Sequence, residues 1–255
     1  MAIARQDAVR VVSLDVNVVE FDRIIETIRS LRATGGGYVC FSTVHMVMES
    51  HDHPEYGEKV NAANLVIPDG MPLVWMQKMS GRKDATRVRA NDLMTGLCEY
   101  AAANDMTVGF YGGAQSVIDG IKERIVRDLP GLSVTYAYSP PFRPLTEVED
   151  AEVVDRINEA DPDILFMGLG CPKQEIWMSD HQDRLSCVML GVGASFDFYA
   201  GNVRECPPWL GRFGLEWLFR LTQEPKRLWR RYLILNPRFM ALAVAQLLGL
   251  RRPGQ

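Results

Sequence analysis

Apolar positions along this chain follow two periods. Short runs rich in β-branched and aromatic residues, bounded by Gly, Pro, Asn or Asp, read as strands, and stretches with apolar residues three and four apart read as helices. Ala8–Leu14 alternates as a first strand, and Val19–Leu31 has helical spacing. Gly35-Gly36-Gly37 turns the chain into Tyr38–Phe41, a buried strand, and a helix is predicted over Val44–Glu49 with Thr43 placed to cap it. The run Asn64–Ile67 stops at Pro68-Asp69-Gly70, after which an amphipathic segment resumes: a strand, a tight turn and a helix start. A basic stretch, Gly81–Arg89, leads to Asn91-Asp92, either of which can cap a helix over Leu93–Ala103.

From residue 106 strands and helices alternate regularly. Strands are predicted at Met106–Tyr111, Leu132–Tyr138, Asp163–Met167 and Ser186–Leu190, with helices over Ala114–Asp128 and Glu147–Ala160 and another opening at Cys171–Trp177. That alternation predicts an α/β fold with a doubly wound, mostly parallel, Rossmann-like sheet.

The carboxy-terminal part differs in kind. From Arg204 onward ten Lys/Arg face three Glu, whereas the preceding residues hold 18 basic and 29 acidic side chains within an overall charge of −4. The expected division is therefore an α/β domain over 1–203 and a basic, aromatic-rich helical appendage over 204–255. Such asymmetry suggests an anionic partner for the appendage. Phe239–Leu250 has Gln246 as its one polar member and basic residues on both sides. It is too short to span a bilayer and suits either a headgroup interface, with basic side chains on anionic lipid, or a docked terminal helix. The start MAIARQDAVR lacks a signal-peptide apolar core, and the five cysteines show neither CxxC nor Cys/His ligand spacing. A reduced cytoplasmic setting is expected, with no zinc site, disulfide framework or nucleic-acid partner.

Candidate chemistry gathers at the predicted strand ends, where open α/β sheets bind ligands. Asp69, at a strand exit, would face the pocket, where a carboxylate can take a proton from a substrate hydroxyl; Asp-Gly is also ordinary turn chemistry. Thr43 could bond a sugar or diphosphate instead of capping. Arg87 offers a fork that matches phosphate oxygens. The turns Gly112-Gly113 and Gly168-Leu169-Gly170 follow strands and precede helices, so their amides form a candidate anion site. Pro172 stands near the next helix's first turn, with Lys173 and Gln174 beside any phosphate held there. In the Gly191–Phe198 segment, Gly191 and Gly193 supply small residues, Phe196 could stack on a base or simply pack, and Asp197 could bind a ribose or sugar hydroxyl. With Gly70 and Asp92 these complete the candidate substrate-binding set.

Three look-alikes are set aside. No full GxGxxG with its acidic follower is present, which disfavours a nicotinamide dehydrogenase. Asp161-Pro162-Asp163 resembles a metal-holding DxD but precedes its strand, at the sheet end opposite the ligand crevice. His51-Asp52-His53 reads as a solvated loop. No metal and no cofactor are expected.

Taken together, IPDG (Ile67–Gly70), RVRANDL (Arg87–Leu93), GFYGG (Gly109–Gly113), DPDILFMGLGCPKQE (Asp161–Glu175), GVGASFDFYAG (Gly191–Gly201) and GLEWLFRLTQEPKRLWRRY (Gly214–Tyr232) resemble the WecG/TagA/CpsF family of bacterial glycosyltransferases. The likeness runs from Tyr38 to about Tyr232. It implies an inverting, metal-independent enzyme that moves a hexose or N-acetylhexosamine from a UDP-sugar to a polyprenyl-diphosphate-linked glycan in cell-surface or exopolysaccharide synthesis, peripheral on the anionic inner face of the plasma membrane. In that family's terms Asp69 is the general base, Arg87 lies near the leaving diphosphate and Gln174 is a polar pocket residue. Arg220, Arg227, Arg230 and Arg231 then belong to an appendage that closes over the site and meets the acceptor diphosphate or the membrane. A homo-oligomer is compatible with the sequence. The competing expectation is a non-catalytic protein on the same fold that binds a nucleotide-sugar or lipid headgroup.

Overall fold

The computed structural model describes residues 7–207, 210–211 and 214–250, and the side chain of Arg227 is outside that description. Expectations that fall on residues 1–6 and on Arg251-Arg252 lie outside the described residues.

From the amino end the elements are β1 (Ala8–Val11), β2 (Leu14–Asn17), α1 (Phe21–Ala33), β3 (Gly37–Ser42), α2 (Val44–Asp52), α3 (Pro54–Asn61), β4 (Leu65–Pro68), α4 (Met71–Met79) and α5 (Ala90–Ala103). There follow β5 (Thr107–Gly112), α6 (Gln115–Asp128), β6 (Ser133–Tyr138), α7 (Glu147–Ala160), β7 (Ile164–Gly168), α8 (Lys173–His181), β8 (Val188–Gly191) and α9 (Ser195–Tyr199). The carboxy-terminal part carries α10 (Glu216–Gln223), α11 (Pro225–Arg230), a π-helical turn (Arg231–Leu235) and α12 (Asn236–Leu247).

The chain forms two compact units. One comprises Glu20–Phe41 and Ala90–Val203, and its strands run β3-β8-β7-β5-β6 with every neighbouring pair parallel. This is the doubly wound α/β arrangement that the alternating pattern predicts. Near-continuous apolar strands suit a sheet covered on both faces: Ile164, Leu165, Phe166 and Met167 of β7 have no solvent exposure. The Phe110 and Phe166 rings of adjacent strands stack 5.5 Å apart. The chain leaves β5 for β6 on one side and β7 for β8 on the other, so the topological switch falls between β5 and β7.

Local signals explain the boundaries that agree with the pattern. α7 covers the predicted Glu147–Ala160 because a capping box fixes its start: the Glu149 amide donates to Thr146 Oγ1 at 3.3 Å, and the Thr146 amide donates to Glu149 Oε2 at 2.8 Å. At its far end Asp161 and Asp163 hold one guanidinium, with Arg32 Nη2 2.9 Å from Asp161 and Arg32 Nε 2.8 Å from Asp163. The DxD look-alike is thus an ion-paired approach to β7.

The other unit draws on Met1–Val19, Ser42–Arg89 and Arg204–Gln255. The residues from Arg204 onward thus group with chain from the amino-terminal half. Three local expectations need correction here or nearby. The single strand Ala8–Leu14 is a hairpin: Val12 turns the chain at φ 55°, and β1 pairs antiparallel with β2 from Ala8↔Asn17 to Val11↔Leu14. A two-residue turn without glycine leaves the alternation unbroken, so the pattern does not mark it. His51-Asp52-His53 is not a loop, because α2 continues through Asp52. In the sheet unit, α5 begins at Ala90, so Asn91 and Asp92 lie in its first turn and do not cap it.

Candidate active site

The site grows from a small polar framework in the unit that carries both termini. The Val66 amide donates to Asn17 Oδ1 at 2.7 Å, fixing β4 against the hairpin. Gln77 of α4, without solvent exposure, donates from Nε2 to the carbonyls of Val16 and Asn17 at 3.0 Å each. Buried polar groups are nearly always paired, and these bonds tie both β4 and α4 to the hairpin. At that junction the Asp69 amide donates to Ser42 O at 2.9 Å and the Val88 amide to Pro68 O at 3.1 Å. Gly70 sits at φ −99°, open to any residue, and a Cβ there would meet nothing closer than 3.7 Å. Backbone geometry therefore does not require Asp-Gly here, and the turn reading leaves it unexplained.

Asp69, Arg87, Thr43, His45, Glu216 and Arg231 line one pocket, together with Gly70, Arg220, Trp217 and Tyr232. Arg87 donates from Nε to the Asp69 carbonyl, while its Nη2 lies 3.5 Å from Asp69 Oδ1 and 2.7 Å from Glu216 Oε2. Side-chain exposures of 16% for Arg87, 23% for Asp69 and 18% for Glu216 place the cluster under partial cover, where charges are weakly screened. Arg89 Nε lies 3.7 Å from the same Glu216 oxygen. Thr43 takes extended backbone before α2 but makes no capping bond; its Oγ1 accepts instead from Arg231 Nη2 at 3.2 Å. Cover shifts two groups. Enclosure raises the Asp69 carboxyl above the ordinary carboxylate range, Arg87 opposing and Glu216 reinforcing it. Enclosure, with the Arg231 charge adding to it, pushes His45 down to about 4, so its imidazole is neutral at physiological pH.

Sequence reasoning missed His45 and Glu216. His45 follows Thr43 by two residues on α2, and no pattern marks a lone histidine. Glu216 lies inside the GLEWLF run, where it reads as a solvated helix start.

The sheet unit holds the other candidates, and several change meaning. Gly112 and Gly168 end the strands flanking the switch point. A Cβ on Gly112 would fall 2.5 Å from the Gly168 carbonyl carbon, and one on Gly168 would fall 2.4 Å from the Phe196 ring. Phe196 is 1% exposed and packs edge-on to Phe110 at 5.9 Å, so its ring belongs to the core and offers no face to a base. The turn amides are also committed internally: Gly113 to Gly168 O at 3.1 Å, Gly170 to Gln174 Oε1 at 3.0 Å, and Gly193 to Met167 O at 2.9 Å. The expected anion cradle is in these turns a closing bracket for the strand ends. Gln174, 3% exposed, completes it by donating from Nε2 to Gly191 O at 2.8 Å and to Glu175 Oε1 at 2.7 Å. Pro172 precedes α8, Lys173 and Asp92 are exposed, and Asp197 is half-buried on α9.

Of the appendage arginines, Arg220 and Arg231 line the pocket. Arg230 is exposed with its guanidinium 5.3 Å over the Trp229 ring, and the Arg227 side chain lies outside the described residues. Two faces distinguish α12. Phe239 and Ala243 are buried, and Gln246 accepts from the Val12 amide at 2.8 Å and donates to Arg10 O at 2.7 Å. Met240, Val244, Leu247 and Leu248 are exposed, as are Leu233 in the preceding π-helical turn and Leu250 after the helix. Among the described residues no helix is long and apolar enough to cross a membrane, and no group of three or more His, Cys, Asp or Glu is arranged to hold a metal.

A family model described as "Glycosyl transferase WecG/TagA/CpsF family" matches residues 9–253. Among curated proteins, an N-acetylglucosaminyldiphosphoundecaprenol N-acetyl-beta-D-mannosaminyltransferase of Bacillus spizizenii is 34% identical, covering 78% of this chain and 75% of its own. A protein of the same name from Bacillus subtilis is 30% identical over 70% of this chain and 68% of its own. Another from Staphylococcus aureus is 26% identical over 85% and 87%.

Proposed function

Because the chain belongs to the WecG/TagA/CpsF family of glycosyl transferases, we propose that it is an inverting, metal-independent hexosyltransferase acting at the inner face of the plasma membrane. It moves a hexose or N-acetylhexosamine from a UDP-sugar to a polyprenyl-diphosphate-linked acceptor. The named relatives are N-acetyl-beta-D-mannosaminyltransferases that act on N-acetylglucosaminyldiphosphoundecaprenol, so N-acetylmannosamine is the first donor sugar to test.

The observation that carries this reading is Asp69: a pocket-lining carboxylate at a strand exit, enclosed so that it binds its proton more firmly than usual, and flanked by Arg87. A base of raised proton affinity is the better acceptor in general base catalysis. Asp69 removes the proton of the acceptor hydroxyl as that oxygen bonds to the anomeric carbon. The bond from that carbon to the diphosphate oxygen breaks on the opposite face, inverting configuration through an oxocarbenium-like transition state, by analogy with glycoside hydrolysis. The electron pair leaves with UDP. Arg87, Arg220 and Arg231 line the pocket and supply the positive charge that the departing diphosphate needs.

The membrane part of the reading is supported by α12, which docks by Phe239, Ala243 and Gln246 and turns Met240, Val244 and Leu248 outward. Exposed apolar residues beside a basic segment suit an anionic bilayer surface.

The test is UDP release from a panel of UDP-sugars with a polyprenyl-diphosphate-linked N-acetylglucosamine acceptor. Asp69→Asn is expected to keep UDP binding and lose turnover by roughly 10²–10⁴-fold. Near-normal turnover of that variant removes Asp69 as the base. UDP-sugar binding without turnover by the unaltered protein would favour a binding protein on this fold.

A further inference from the structure

Beyond the base and the cations assigned to the leaving group, a second carboxylate lines the same pocket. Glu216 opens α10, and its Oε2 is 2.7 Å from the Arg87 nitrogen that also lies 3.5 Å from Asp69 Oδ1. Two carboxylates thus share one guanidinium nitrogen, and their oxygens are no farther apart than those two contacts laid end to end. Nε of the same guanidinium is taken by the Asp69 carbonyl, so the fork is held on one edge by both residues.

We propose that Glu216 is a positioning residue for the transfer reaction, orienting the Arg87 guanidinium between its own carboxylate and that of Asp69; this rests on the reading of Asp69 as the base.

The electrostatics follow from which groups face Asp69. Arg87 and Arg89 come from the segment before α5, Glu216 and Arg220 from α10, and all four act on its charge. Arg231 and the neutral His45 line the same pocket. Enclosure is the largest influence on Asp69 and favours the protonated form; Arg87 counters it and Glu216 adds to it. Glutamine at 216 would remove the negative neighbour and free Arg87 to act on Asp69 alone. Both changes favour the ionised carboxylate, so the variant carries a weaker base that stays ionised to lower pH. The carboxylate that adds to the effect of enclosure is supplied from the carboxy-terminal segment, nearly 150 positions along the chain from Asp69.

Charge and simple docking separate in two variants. Glu216→Gln keeps the shape and loses the charge, whereas Glu216→Asp keeps the charge and shortens the reach. The experiment is a ¹³C-NMR titration of the Asp69 carboxyl in the full chain, its signal identified by loss in Asp69→Asn, alongside pH profiles of kcat/KM. The Asp69 midpoint and the acidic limb are expected to fall by about half a pH unit or more in Glu216→Gln and to stay near the original in Glu216→Asp. An unmoved midpoint in Glu216→Gln, or an equal fall in Glu216→Asp, overturns the proposal. The titration needs no turnover: an inactive unaltered protein strikes the transferase reading, and an active one with an unmoved midpoint strikes this inference.

Discussion

Arg238 donates both Nη atoms to the two carboxylate oxygens of Asp52, at 2.8 and 2.7 Å, clamping the start of α12 to the end of α2. The fork has good geometry, but its side chains are 46% and 36% exposed, and exposed pairs contribute at most about 1 kcal/mol. The neighbouring Phe239 is 1% exposed, and truncating a buried phenylalanine costs about 3–5 kcal/mol. Asp52→Ala is therefore expected to leave α12 docked, while Phe239→Ala releases it. Hydrogen exchange across 236–250 distinguishes the two, and equal protection loss in both variants contradicts this ordering.

His45 gives the fold a pH dependence whose sign is fixed. Its folded value of about 4 lies below the 6.5 of an ordinary imidazole, so between those limits the unfolded chain binds more protons than the folded one. Its contribution is complete above pH 6.5 and drains away as pH falls toward 4. His45→Gln should flatten the fall in urea midpoint between pH 7 and pH 4.5 relative to the unaltered protein. Parallel slopes would show that this imidazole is not held neutral.

Two glycines with positive φ should answer differently to alanine. Gly170 sits at φ 81° with open space around a would-be Cβ, so only backbone strain of about 1–2 kcal/mol is expected. At Gly112, φ 117° is joined by a Cβ position 2.5 Å from the backbone of Gly168, which cannot swing aside as a side chain would. Gly112→Ala should destabilise by about 2–4 kcal/mol and more than Gly170→Ala, read from denaturant midpoints.

The outward face of α12 offers a membrane test that leaves the core intact. Met240 and Val244 are about half exposed, so aspartates there should fold normally. Binding to vesicles containing phosphatidylglycerol should weaken by roughly tenfold or more in Met240→Asp/Val244→Asp, since both lost apolar area and added negative charge oppose it. For the unaltered protein, binding should also weaken with salt. Unchanged vesicle binding by the double variant would rule out this face.

The sequence by itself determined the layered α/β plan, because strand and helix periods and capping signals such as Thr146-x-x-Glu149 act within a few residues of themselves. It also determined that Asp69 stands at a strand exit, since Pro68 and Gly70 punctuate the chain there, and it carried the family in its ordered motifs. Tertiary structure decided which charges meet. That Phe196 fills the space over Gly168, that the Gly113, Gly170 and Gly193 amides bond inward, and that Glu216 reaches Arg87 from a distant helix are outcomes of packing between segments far apart in sequence. Periodicity says which face of an element is buried and nothing about what lies opposite. Coulombic and steric partners depend on distances of a few ångströms that only the folded chain sets.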